Sequence, residues 1–132
     1  MISRRMSTRV GLLLFALAAS GCRLGPETCD TGIEPAIDVA ITDALTGAPL
    51  ANDAVGLVEA GTFVDSLQPH RGDGSGQLIS RATTRTPPGS YTVRIMHDGY
   101  EPWVLANVRV RAGSCGPETQ LFTAQLQPLS AP

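Results

Sequence analysis

Alternation of apolar and polar positions is the dominant pattern in this chain. From Ser90 to His97 the residues Tyr91, Val93, Ile95 and His97 fall on one face, and Thr92, Arg94 and Met96 on the other. Pro87-Pro88-Gly89 gives that run a stiff, helix-incompatible entry, and Asp98-Gly99 supplies a tight reversal after it. It is the predicted central strand. After Pro35, Ile37, Val39 and Ile41 alternate with Asp38, Ala40 and Thr42. Further strands are expected over Ala54–Ala60, with Gly56 a bulge or a close approach, and over Phe63–Leu67 after the Gly61-Thr62 reversal. Gln77–Thr84 reads as a modest edge strand, where Arg81 and Arg85 suit an edge. Val104–Arg111 and Thr119–Gln127 complete the set, the last with Phe122, Ala124 and Leu126 on one side.

The breaks carry turn chemistry. Asp43–Pro49 has Thr46-Gly47 at its tip, and Ala112–Pro117 holds Cys115. Gln68–Gly76 is the longest polar, glycine-rich interruption and the expected mobile loop. Pro128–Pro132 is an expected frayed end. No helical period persists beyond the first residues. About seven short strands at regular spacing predict an all-β fold, a single antiparallel seven-stranded β-sandwich over residues 35–128 with a tail at 129–132.

The N-terminus is a processing segment. Arg4, Arg5 and Arg9 precede an apolar run, Val10–Ala19, shorter than the roughly 20 residues a membrane-spanning helix needs. Ala19-Ser20-Gly21 then leads to Cys22, which resembles a bacterial lipobox, with Ala19 in place of the usual leucine. Residues 1–21 are thus expected to be a signal peptide, Cys22 the lipid attachment site and residues 22–34 a tether. The alternative is an ordinary secretory signal cut after Ala18. Cleavage before Cys22 removes three of the ten basic residues and none of the twelve acidic ones, leaving a formal charge of −5. That surface disfavours nucleic acid, whose binding needs a basic footprint. Every basic residue is arginine, which reads as compositional bias.

With Cys22 acylated, Cys29 and Cys115 remain as a pair for a disulfide in an oxidising compartment. They stand just before the first and last predicted strands, whose starting ends meet if the two run side by side. Closing that loop removes about 4–5 kcal/mol of unfolded-state entropy in the chain-entropy model. Aromatic residues make up only 5% of the chain, so the core is modest and a cross-link weighs in its stability.

One frame of residues resembles a known family. Asp43-x-x-Thr46-Gly47-x-Pro49-Leu50, Ala54-Val55, Pro88-Gly89-x-Tyr91-x-Val93, Gly99-Tyr100 and a closing Leu126 are similar to the carboxypeptidase regulatory-like domain. The resemblance implies a seven-stranded transthyretin-like sandwich in a small bacterial lipoprotein and a binding or spacer role. It implies no peptidase activity, which belongs to a separate catalytic domain. The middle hairpin of the family is matched only loosely, by Gly72–Gly76.

Chemistry-bearing residues are sparse. His70 and His97 are the only histidines, His70 being near Asp65 and Asp73 in sequence, and no HxH or HxxE spacing marks a metal site. Asp73-Gly74-Ser75-Gly76 lacks the ligand alternation of a calcium loop. Arg71-Gly72-Asp73 spells the integrin tripeptide and reads as a chance string. Ser75, Ser80 and Ser90 lack a GxSxG elbow, and the cysteines lack CxxC spacing. Tyr100 and Trp103 are candidate ligand-stacking residues beside the Gln68–Gly76 loop, or else core packing. No catalytic residue, cofactor or metal is expected. The expected function is a lipid-anchored structural or protein-interaction module in the bacterial envelope, facing the periplasm or exterior, with an envelope protein as partner. Arg23 after the acylated cysteine favours the outer membrane. The alternative is a small-ligand or glycan-binding lipoprotein.

Overall fold

A computed structural model describes Cys29 and residues 32–130, so the expected signal peptide and Cys22 lie outside the described residues. Among those described there is no helix, and none long and apolar enough to cross a membrane. The strands are β1 (Ile37–Asp43), β2 (Val55–Ala60), β3 (Phe63–Ser66), β4 (Gln68–Pro69), β5 (Ser80–Thr83), β6 (Gly89–Met96), β7 (Trp103–Gly113), β8 (Gly116–Glu118) and β9 (Gln120–Leu126). They form two sheets, ordered β4-β5-β1-β9 and β3-β2-β6-β7-β8. The fold is all-β and sandwich-like. One core is shared by both sheets: Ile37, Val39 and Ile41 of β1 and Ala124 and Leu126 of β9 meet Val58 of β2, Tyr91, Val93 and Ile95 of β6, and Val108 and Val110 of β7.

The predicted strand at Ser90–His97 is the middle strand of its sheet, and its alternation holds, with Tyr91, Val93 and Ile95 buried. The seven antiparallel strands need correction on two counts. Nine strands are present among the described residues, two of them only two and three residues long. β1 and β9 run parallel, from Ile37↔Gln120 to Asp43↔Leu126. The starting ends of the first and last strands therefore meet, and Cys29 and Cys115 are joined as a disulfide with Cα atoms 5.2 Å apart.

Other local differences have physical causes. β5 is not an edge strand, because the chain leaving β3 turns at Leu67 and pairs Gln68 and Pro69 with Ala82 and Arg81. The supposed free loop after it is a hairpin-like excursion. The Asp73 amide donates to Gln77 O, the Ile79 amide donates to Arg71 O, and Asn52 Oδ1 accepts the Leu78 amide. The segment expected as a turn at Ala112–Pro117 belongs largely to β7 and β8, which pair Arg111 with Glu118. The start of the expected frayed end is pinned: Pro128 bridges Tyr100, and the Leu129 amide donates to Gly99 O.

A β-bulge interrupts β7. The register moves from Tyr91↔Val108 to Val93↔Leu105, and Asn107 takes a left-handed φ of 59° to absorb the extra residue. Asparagine tolerates that region better than most side chains. The bulge switches the buried phase of β7, so Trp103 and Leu105 on one side of it and Val108 and Val110 on the other all turn toward the core.

Gly56 is a close approach. A Cβ built there lies 2.5 Å from Leu67 Cδ1 and 3.0 Å from Leu67 Cβ. Leu67 is 2% exposed, so it has nowhere to swing. Gly56→Ala is expected to lose about 1–3 kcal/mol by overpacking. The pair Gly56→Ala/Leu67→Ala should lose less than the sum of its single losses, as read from urea midpoints. Strict additivity would refute the contact.

Candidate functional site

The turn after β1 is organised by one carboxylate. Asp43 Oδ1 accepts the amides of Leu45 (2.7 Å) and Thr46 (3.0 Å), and the Gly47 amide donates to Asp43 O. Gly47 takes φ 73° at the tip, a conformation that glycine adopts without steric cost. The second oxygen, Oδ2, accepts the Tyr100 hydroxyl at 2.6 Å from the β6–β7 loop of the opposite sheet. Two segments 57 positions apart thus lock together. The Tyr100 hydroxyl, then the Thr46 and Leu45 amides, hold Asp43 below its ordinary value. The same bond, with burial and the neighbouring charge, pushes the Tyr100 phenol up.

Tyr100 and Trp103 stand at the edge of the core. Both are half-buried and pack against the core, and Trp103 sits opposite Ile95 in the sheet. Tyr100 meets His97 edge to face at 5.0 Å. It lines a shallow groove of about 230 Å³ with Asp53, His97, Asp98 and Pro102, a set that includes no residue of the Gln68–Gly76 segment.

That segment instead serves a carboxylate on the outer face of the other sheet. Asp38 is 2% exposed. Its Oδ2 accepts Arg71 Nε at 2.8 Å, with His70 Nε2 at 3.9 Å, and its Oδ1 has no hydrogen-bond partner. The arginine of the Arg-Gly-Asp string is therefore committed to an internal ion pair. Asp73, its third residue, closes a local turn by accepting the Ser75 amide and hydroxyl, which lowers its pKa. His70 approaches Asp38 and not Asp65 or Asp73 as the sequence suggested. Asp65 accepts the Thr83 hydroxyl instead. Among the described residues no three His, Cys, Asp or Glu side chains converge as metal ligands.

A second groove, of about 540 Å³, is lined by Asp65, Gln68, His70, Thr83 and Arg85, where the chain crosses between the sheets. Its lining mixes polar and apolar surface, and the Thr83 hydroxyl within it is held by the Asp65 carboxylate. The buried Asp38 and its arginine are the feature that sequence reading missed. The only signal was an acidic residue at a strand position flanked by Ile37 and Val39. Compared with models of known protein families, the chain matches none, and no curated protein matches it either.

The Asp43 contribution to stability is full above the ordinary aspartate value near 3.8 and is lost as pH falls through the depressed folded value. The Tyr100 contribution is full below its ordinary value near 10.0 and is lost as pH rises through the raised one. Tyr100→Phe should therefore shrink both the acid and the alkaline decline in melting temperature, and an unchanged profile would refute the pairing. Arg71→Ala, which strands the Asp38 carboxylate, should lose about 1–3 kcal/mol. Adding Asp38→Asn should restore part of that loss in urea denaturation.

Proposed function

We propose that this chain is a non-catalytic, lipid-anchored protein of the bacterial cell envelope, acting as a structural or protein-interaction module on a transthyretin-like, carboxypeptidase regulatory-like sandwich. The observation that carries the reading is the outer face of the five-stranded sheet. There Val55, Val64 and Val104 are 53%, 58% and 48% exposed on three different strands. Val55 stands beside Met96, and Val104 beside Arg94, which pairs with Glu59. Glu59 stands opposite Val64 and Arg94 opposite Val104, so one ion pair lies among the apolar side chains, and such a mixed face suits a protein partner better than a small polar ligand.

The packing of Tyr100 and Trp103 against the core supports the same reading. The Asp43–Tyr100 bond supports the family resemblance, because it gives two of its motifs one joint purpose. The lipid anchor rests on the pattern from Arg4 to Cys22, and the outer-membrane placement on Arg23. Two or three acyl chains hold stably where one holds only marginally.

The test is in-cell cross-linking from membrane fractions, read by mass spectrometry, with tagged wild type, Cys22→Ser and Val64→Glu/Val104→Glu. Wild type should recover one envelope protein. The valine variant, folded by its melting curve, should recover at least about ten-fold less. Cys22→Ser should leave the membrane fraction. Equal recovery by the valine variant would refute the sheet face as the docking surface. Soluble wild type that recovers no protein would refute the anchored module and turn attention to a small ligand or glycan.

A further inference from the structure

We propose that the disulfide-bearing end of the domain lies against an anionic phospholipid surface, with Arg85, Arg109 and Arg111 contacting headgroup phosphates. This rests on the lipid anchor at Cys22. Six arginines are described, and they divide cleanly. Arg71 pairs with Asp38, Arg94 with Glu59, and Arg81 donates to the carbonyls of Ala51 and Asn52. Arg85, Arg109 and Arg111 are exposed and, among the described residues, have no ion pair or side-chain hydrogen bond. Arg111 stands in register with Glu118 and still forms no ion pair with it.

All three lie at one end. Arg109 is opposite Ser90 at the start of β6, and Arg111 precedes the β7–β8 turn that carries Cys115. Arg85 follows β5, whose Thr83 carbonyl accepts the Ala36 amide at the start of β1. The Cys29–Cys115 bridge ties the tether to this same end. Cys29 lies seven positions after Cys22, so an acylated Cys22 would lie within about 25 Å of the bridge even with the intervening chain fully extended.

Charge gives the same orientation. Among the described residues near the bridge, Arg85, Arg109 and Arg111 stand against Glu34, Asp65 and Glu118, close to balance. The opposite end is built from the β1–β2 and β6–β7 loops and carries Asp43, Asp53, Asp98 and Glu101, with Arg81 alone reaching the first of these loops, at the Ala51 and Asn52 carbonyls. Seven-residue β1 sets the two ends roughly 23 Å apart. That exceeds the Debye length of about 8 Å at physiological salt, so each end meets a charged surface on its own terms. An anionic leaflet repels the loop end, while the guanidinium groups at the bridge end are free to pair with phosphate.

The test uses the acylated wild-type protein in vesicles of phosphatidylcholine alone or with phosphatidylglycerol. Arginine modification by phenylglyoxal is followed residue by residue through peptide mass spectrometry. Arg85, Arg109 and Arg111 should react about five-fold more slowly on the phosphatidylglycerol vesicles. Arg94, in its pair on the open sheet face, should be unchanged, and the protection should vanish in high salt. Equal rates on both vesicles, or equal protection of Arg94, would overturn the headgroup contact and leave the anchor standing. An intact mass without acyl groups on Cys22 would overturn the anchor and the contact with it.

Discussion

β1 and β9 lie side by side and parallel over seven residue pairs, although more than seventy residues separate them in the chain. Parallel neighbours cannot be joined by a tight turn and require a crossover. Here the crossover holds the whole second sheet, together with β4 and β5, and it places Ile37, Val39 and Ile41 against Val58, Val93 and Ile95. The Gln120 amide donates to Ala36 O at one end of the pair, and the Ala44 amide to Leu126 O at the other. Closing so long a loop is entropically costly. The Cys29–Cys115 bridge, 86 positions apart and just outside the first rung, removes much of that cost from the unfolded side.

Much of this was legible because period-two patterning and turn chemistry are local. The buried face of β6, the inward triplet of β1, the Gly56 approach and the Thr46-Gly47 tip were all readable from neighbouring residues. Pairing was not. The parallel partner of β1 and the promotion of β5 from edge to interior are set by distant segments. The bulge at Asn107 is an intermediate case. Leu105 and Val108 are spaced by three, a break in alternation that local reading passed over because Val108 and Val110 restore the rhythm at once. At the candidate site, Tyr100 was legible as important, but its task was not. Its partner Asp43 lies in the other sheet, and no short-range pattern joins them.

Two aspartates of β1 show how one strand can bury charge in two ways. Asp43 ends the strand and meets donors for both oxygens, two of them backbone amides already oriented by the turn. Such a carboxylate stabilises the loop that holds it. Asp38 sits in mid-strand with one oxygen on Arg71 and the other unpartnered. A buried pair of that kind gains little net stability over an apolar replacement, since desolvation offsets attraction. Its effect is on the covering segment. Without the Asp38 carboxylate, nothing charged would hold the Arg71 hairpin over the outer face of β1 and β5.

The arginines extend this logic from the fold to its surroundings. Along the body of the sandwich each described arginine has an internal partner, so its position follows from folding alone. At the bridge end Arg85, Arg109 and Arg111 project without one among the described residues. Packing does not account for them there, and a solvated face would serve with any polar residue. What distinguishes this end is the disulfide, which fixes where the tether leaves the domain and thereby which surface an anchored molecule keeps closest to the membrane. On the proposed anchoring, free cations at the bridge end and carboxylates at the far loops would turn one end of the domain toward the membrane. In that proposed orientation the open valine face of the five-stranded sheet would lie along the membrane normal and face sideways.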